Sequence, residues 1–590
     1  LNRGFTVLRV TERQIDEVWE PVWGTDASVQ NRCHEVTLTL VKGSGLEMDV
    51  ILRAYDDGVA FRYSIPDQEG FRSFELISEE TEFCLTGDHT AWWIPADFDS
   101  YEHLYRETRL AEVEAVATPV TMRTEDDVYL SIHEANLTDY AGMTLRKTPV
   151  GSTLVCDLVP WPDGIKVRGD APLVTPWRTI QIADAPGGLI ESHIMENLNE
   201  PCAIKDCSWI QPMKYVGIWW GMHIDKDTWH QGERHGATSA NTRTMIDFAA
   251  EHGIGGVLVE GWNTGWERWG SAGAFDYTTP YPDFDLEGLA AYAGERGVSL
   301  IGHHETGGDV PTYEERVDEA FALYERLGIR AVKTGYAGGI FPRGQHHHGQ
   351  WMVRHYRSIV EKAARHRIML DVHEPIKPTG LSRTWPNMMT REGVRGMEYN
   401  AWSDGNPPEH TTILPFTRML AGPLDYTPGI FDLTFDQYKP NNRVHTTLAK
   451  QLALYVVLES PLQMAADLIE NYEDHAAFAF IRGVPCDWDE SRVLDGAIGD
   501  HVTIVRRRGR EWFLGSITDE DPRTFKFALG FLEDGVTYIA TVYSDGSDAD
   551  WSTNPESYEI RTMTVDAIST LEVHLAAGGG GAVCFVPASP

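Results

Sequence analysis

The sequence predicts a multi-domain β and α/β protein: a large N-terminal β-sandwich, a central (β/α)8 barrel and a small C-terminal β-sandwich. Three observations predict it. Residues 1–205 carry short apolar–polar alternations broken by Gly, Asp, Pro and Asn. Residues 206–488 alternate strand-length apolar runs with stretches of helical period, and residues 489–590 return to alternation. A chain of 590 residues is long enough for several domains with full cores.

In the first part, Glu35–Val41, Val59–Ser64 and Val128–Ile132 read as strands, Thr175–Ile180 closes the region, and Asn197–Pro201 reads as a linker. The second part begins with the strand Tyr215–Ile218. Helix Ser239–Glu251 precedes strand Val257–Val259, and helix Leu286–Arg296 precedes strand Ser299–Gly302. Helix Tyr313–Leu327 leads to strand Arg330–Lys333, and helix Trp351–Arg365 leads to strand Ile368–Val372. This rhythm makes a parallel barrel the natural fold, with Leu424–Tyr426, helix Val444–Glu459 and Leu462–Met464 completing eight repeats. An open doubly wound sheet is the alternative, disfavoured because no Gly-rich phosphate loop follows a strand. In the third part His501–Val505, Trp512–Gly515, Thr537–Ala540 and Leu571–His574 alternate, and Gly578–Val586 reads as a loop and terminal strand.

Composition narrows the function. A net charge of −38 and a pI near 4.9 argue against nucleic acid or an anionic membrane as partner, and suit a neutral substrate such as a sugar. Only 12 of the 50 basic residues are Lys, and a Lys-poor acidic surface suggests a high-salt habitat, where screening removes self-repulsion. No apolar run reaches the ~18–20 residues of a membrane span. No positively charged, then apolar leader opens the chain, and a start at Leu1 suggests a trimmed mature form. Seven scattered cysteines read as buried free thiols. Cys202 and Cys207 are close enough to bridge or bind metal, but no second pair completes a zinc site.

The chemistry concentrates at strand ends. Trp219-Trp220 ends the first strand with His223 close behind, Glu260-Gly-Trp262-Asn263 the second and His303-His304-Glu305 the third. Lys333-Thr-Gly335-Tyr336 ends the fourth and His373-Glu374 the fifth, which runs into a long polar loop with Glu392 and Glu398. An isolated His or Trp at a strand end is ordinary structure, but five successive ends loaded this way are not explained by packing. Tryptophans beside carboxylates suit pyranose rings. Three carboxylates in one loop raise one another's pKa or share a cation. A carboxylate hydrolase site with Ca²⁺ follows. A zinc or amidohydrolase-type site is the competing reading, weakened because the first strand has no His-X-His pair and Glu outnumbers well-placed His. His346-His-His348 sits in a Gly/Gln loop, is expected to be exposed, and takes no ligand role.

Longer motifs go further. Lys214–Trp220, Asp247–Ala250, Gly256–Asn263, Ile301–Glu305, Val332–Gly335, Gln350–Val353, His373-Glu374 with Pro378–Gly380, and His410–Arg418 followed by Gly422–Gly429 together resemble glycoside hydrolase family 97. The resemblance runs from about Trp19 to the C-terminal sandwich. It implies an N-terminal β-super-sandwich, a (β/α)8 barrel and a C-terminal β-domain, in a Ca²⁺-dependent α-glucosidase or α-galactosidase of periplasmic or secreted setting. It implies Glu398 as general acid and Glu305 and Glu374 as the carboxylates that activate water. Glu374, Glu392 and Glu398 are the implied Ca²⁺ ligands, with Glu134 of the N-terminal part as a fourth. His303, Lys333, Glu260, His373 and a tryptophan of the Trp219-Trp220 pair are implied to hold the sugar in the −1 subsite. Retaining members carry an Asp nucleophile two residues after the strand-four lysine. Here that position is Gly335, so the expectation is an exo-acting, inverting α-glucosidase on gluco-oligosaccharides, with an α-galactosidase of the same family as the alternative.

Overall fold

The computed structural model describes residues 3–588. The N-terminal region is antiparallel β. Its main sheet runs from the edge strand Phe5–Trp19 through Val29–Lys42, Glu47–Tyr55, Gly58–Ile65, Trp177–Ala183 and Tyr129–Ala135 to Arg106–Arg109. A four-stranded sheet of Glu82–Cys84, Thr153–Leu158, Met143–Lys147 and Ala115–Ala117 accompanies it. The hairpin between Tyr55 and Gly58 shows how tightly the main sheet is built. Gly58 has φ +155°, and a Cβ there would lie 2.3 Å from the Ile180 carbonyl oxygen.

The central region is a nearly closed parallel barrel. Its strands are Met213–Ile218, Gly256–Val259, Ser299–Glu305, Ala331–Gly335, Met369–Val372, Met388–Arg391 and Leu462–Met464. The last strand pairs with the first, which an open doubly wound sheet would not do. Helices begin where the sequence supplies caps: Thr238, Asp285 and Asp309 each accept a backbone N–H from the first turn of the helix that follows. Gly253 and Gly328 end two of these helices in the left-handed conformation.

The barrel departs from eight even repeats. Met388–Arg391 is a sixth strand inside what reads as one long loop, and between it and the fifth strand there is only the one-turn 3-10 helix Leu381–Arg383. Leu424–Tyr426 does not form a full strand: Leu424 makes a single parallel bridge to Arg391 while its N–H reaches the Glu459 carbonyl. That contact spans the gap between the sixth strand and Leu462–Met464.

The C-terminal region has a six-stranded sheet, from Glu490–Ala497 to Tyr558–Val565, and a two-stranded one of Arg523–Ala528 with Thr570–Leu575. The helix Leu448–Val457, buried along its whole length, seats on it. Glycines make the seat: a Cβ at Gly515 would lie 2.6 Å from the Ala453 carbonyl oxygen, and one at Gly580 2.5 Å from the Lys450 Cα. All seven cysteines are free. Cys33, Cys156 and Cys486 are buried, but Cys84 and Cys202 are exposed, contrary to the expectation of uniformly buried thiols.

Candidate active site

A parallel barrel points every strand's carboxyl end toward one mouth. Here that mouth is a cavity of about 520 Å³. Trp219, Glu260, His303, Glu305, Lys333, His373, Glu374 and Glu398 all line it, as does Gly335. Trp220 does not. It stacks behind Trp219 at 5.7 Å and meets Phe435 edge-on.

One wall is organised around Glu260. Lys333 Nζ lies 3.0 Å from its Oε1, His303 Nε2 3.6 Å from the same oxygen, and Trp229 Nε1 donates to Oε2 at 3.1 Å. Burial alone would raise the Glu260 pKa, but His303 and Lys333 hold it far below the carboxylate range. Burial would likewise lower Lys333, and Glu260 reverses that. Burial pushes His303 down to about 4, with the Glu260 charge opposing it. Trp229 stacks on Trp266 at 5.8 Å and Trp266 on His303 at 5.7 Å, giving an aromatic wall with polar atoms between the rings. Such a surface matches the apolar faces and hydroxyl rim of a sugar.

The other wall is acidic. Glu305 Oε1 accepts from Gly307 N at 2.5 Å, and burial together with the Glu374 charge raises its pKa well above the ordinary value. Glu374 is raised by burial and by Glu392, and Glu398 is raised well above its usual range by burial and by Glu392. Glu392 sits behind the wall at the end of the sixth strand. Burial acts to raise it, but His373 Nδ1, 3.4 Å from its Oε1, brings it below the ordinary carboxylate value. Glu374 has φ +47°, a left-handed backbone that costs on the order of 1–3 kcal/mol in a non-glycine residue. Two bonds hold it: Tyr336 N donates to Glu374 Oε2 at 2.8 Å, and Glu374 N donates to Glu392 Oε2 at 3.2 Å.

Glu134, expected as the fourth metal ligand, is not among the acids of this wall. It lies on the strand Tyr129–Ala135 and is fully engaged elsewhere, accepting from Arg178 at 2.6 Å, from Met143 N at 2.7 Å, and facing Lys377 Nζ at 3.0 Å. The N-terminal residue that reaches the acidic wall is Glu102. It accepts the Tyr399 hydroxyl proton at 2.5 Å, and burial with the charges of Glu392 and Glu374 pushes its pKa up to about 8. The histidine triplet explains how it gets there. Asp99 bonds His346 at 2.8 Å and His347 at 3.1 Å, and His348 stacks on Tyr101 at 4.0 Å. His347 and His348 are therefore buried, not exposed. Glu102 falls in an aperiodic stretch of a β region, and a long structureless segment inside a compact domain is itself a functional signal. His223, Trp229, Trp266, Trp269 and Trp402 also line the cavity and carried no role in the sequence reading.

These acids could hold a metal ion. Glu102, Glu374 and Glu392 each place an oxygen within 4.8 Å of the others, and Glu392 also groups with Glu398 and His373. The nearby arginines do not neutralise them. Arg418 donates to the carbonyls of Arg391, Glu392, Gly393, Gly422 and Pro423, and Arg391 to those of Ile376 and Lys377. The set is oxygen-rich with a single imidazole, which fits a hard cation better than zinc.

Comparison with known proteins agrees with the geometry. Three family models match: glycoside hydrolase 97 over residues 219–394, glycosyl-hydrolase 97 N-terminal over 1–201, and glycosyl-hydrolase 97 C-terminal, oligomerisation, over 487–586. The chain is similar to a glycoside hydrolase family 97 enzyme from a Pseudoalteromonas species, solved in complex with acarbose. The two are 46% identical, with a TM-score of 0.96 over 99% of this chain and 92% of that one. A variant of that enzyme in complex with panose matches equally. The retaining alpha-galactosidase of Bacteroides thetaiotaomicron is 28% identical, over 97% of this chain and 88% of that protein. A probable retaining alpha-galactosidase of Streptomyces bingchenggensis is also 28% identical, over 98% of this chain and 84% of that protein.

Proposed function

The chain belongs to glycoside hydrolase family 97, and from that premise we propose that it is a Ca²⁺-dependent, exo-acting α-glucosidase that hydrolyses gluco-oligosaccharides with inversion. The observation that carries the stereochemistry is Gly335. A Cβ there would lie 2.3 Å from Glu305 Oε2 and 3.7 Å from Glu374 Oε2, so a nucleophilic side chain cannot share the site with Glu305 in place. Without a protein nucleophile, water attacks the anomeric carbon directly, and one displacement inverts the centre. The 46% identical relative seen with acarbose and panose supports gluco-configured substrates more strongly than the 28% identical galactosidases oppose them.

In this reading Glu398, kept protonated by burial and by Glu392, gives its proton to the leaving oxygen. Glu305 and Glu374 hold and deprotonate the attacking water. Their pKa values rise together, so as a pair they carry too much charge to ionise fully unaided. Glu102, Glu374, Glu392 and Glu398 would hold Ca²⁺, whose charge would offset theirs and favour the ionised form of the bases. Lys333, His303 and Glu260 orient the sugar against Trp219. The C-terminal match to an oligomerisation domain supports assembly of several copies. Among the described residues no helix is long and apolar enough to cross a membrane.

Proton NMR of the first product tests the reading. β-Glucose should appear first from an α-glucoside, and an α-galactoside run alongside should be the poorer substrate. α-Glucose appearing first would overturn inversion, and preference for the galactoside would overturn the sugar.

A further inference from the structure

The linker between the N-terminal sheets and the barrel contains Cys202-Ala-Ile-Lys-Asp-Cys207 and has no regular secondary structure. Its two sulfurs lie 3.7 Å apart, and both thiols point at one acceptor, the Ile204 carbonyl oxygen, at 3.5 Å each. The turn that brings them together is itself tied down. Ala203 N donates to the Thr384 carbonyl at 2.8 Å, Thr384 Oγ1 to the Glu200 carbonyl at 2.6 Å, and Ile210 N to the Cys207 carbonyl at 2.9 Å. Cys202 is exposed and Cys207 half-buried, so a reagent in solution reaches the first and the second waits beside it.

We propose that Cys202 and Cys207 are a thiol-oxidation site that closes to a disulfide with a low-molecular-weight disulfide such as oxidised glutathione, stapling the interdomain linker. The Cys202 thiolate attacks one sulfur of the reagent. The reagent's S–S bond breaks, and its departing half takes up a proton as a free thiol. The sulfur of Cys207, losing its own proton, then displaces the second half from Cys202. The protein gives up two electrons and gains one S–S bond, and the reagent is reduced to two thiols. The order follows from the surroundings. Burial, and then the hydrogen bond and charge of Cys202, push the Cys207 thiol up to about 12, and the contribution from Cys202 is relieved once that sulfur is capped.

Lys205 is exposed inside the Cys202–Cys207 turn, which makes the test direct. Trypsin cuts after Arg178, Lys205 and Lys214, placing Cys202 in peptide 179–205 and Cys207 in peptide 206–214. The whole protein is incubated with oxidised glutathione, alkylated under denaturing conditions, digested and weighed. The two peptides should then travel as one species that separates on reduction, and untreated, reduced protein should yield both alkylated. Native protein nicked at Lys205 should stay joined on a non-reducing gel and part into two fragments with dithiothreitol. Recovery of the two peptides separately after oxidation, alkylated or each carrying glutathione, would overturn the proposal.

Discussion

Two groups of buried carboxylates lie at the junction of the N-terminal sheets and the barrel, and they are solved in opposite ways. Glu79 and Glu134 share the buried Arg178, and Glu134 also faces Lys377. Burial would raise both acids, but the cations bring both below the ordinary value, Glu134 to about 2. Among the described residues Glu102, Glu305, Glu374 and Glu398 have no Arg or Lys paired with them, and all four are pushed upward. The first group uses charge to join strands. The second is left without a paired cation, as the proposed acid, bases and metal ligands require. Burial alone therefore does not separate the two groups; the matching cation does.

The largest expected difference between the groups is in catalysis. Glu398→Gln should lower maltose hydrolysis by about 10²–10⁴-fold and spare much more of the activity on a nitrophenyl α-glucoside, whose leaving group needs no proton. Glu305→Gln should lower both substrates alike. Equal losses on the two substrates for Glu398→Gln would assign the acid elsewhere, and steady-state kinetics on the pair decides it.

Stability should respond in reverse. Arg178→Met leaves Glu79 and Glu134 buried without their shared cation, and should cost about 3–5 kcal/mol in urea unfolding. Glu305→Gln removes a charge the fold holds at a disadvantage. It should leave stability unchanged or raise it by about 0.5–2 kcal/mol while activity falls. A destabilised Glu305→Gln would contradict the contrast.

The pH dependence of stability should also differ in sign between the groups. Glu134, lowered from 4.5 to about 2, contributes stability that is full above pH 4.5 and lost as pH falls through about 2. Glu102, raised from 4.5 to about 8, favours the fold fully below pH 4.5 and progressively less as pH rises to about 8 in cation-free protein. Urea midpoints across pH for wild type, Glu134→Gln and chelated Glu102→Gln should show these opposite slopes. The Glu134→Gln deficit should shrink in acid, and the Glu102→Gln gain should grow toward pH 8.

Much of the barrel wall was legible because a parallel barrel turns linear order into a ring. Reading polar residues at five successive strand ends was enough to place His303, Glu305, Lys333, His373 and Glu374 at one cavity. The strand Met388–Arg391 was not legible. It is four residues long, lies in a Pro- and Gly-rich stretch and lacks the preceding long helix that marks the other repeats. Glu134 misled because its partner is set by register: Glu134 and Arg178 stand directly opposite on neighbouring strands, 44 residues apart in sequence. Glu102 was invisible for a related reason. Its place depends on the bonds of Asp99 to the histidine triplet, which join parts of the chain more than 200 residues apart. Local pattern reports which face a residue takes, and not which distant charge it meets.

We propose that the uncompensated group is built around a cation, with Glu102 and not Glu134 as the N-terminal ligand. Calorimetric titration of Ca²⁺ into chelated wild type, Glu102→Gln and Glu134→Gln tests it most directly. Wild type and Glu134→Gln should bind one Ca²⁺ with comparable affinity and recover activity and thermal stability, whereas Zn²⁺ should restore neither. Glu102→Gln should bind at least about tenfold more weakly, a loss of about 1.4 kcal/mol. Full affinity in Glu102→Gln with loss in a folded Glu134→Gln, or rescue by Zn²⁺ alone, would contradict the account.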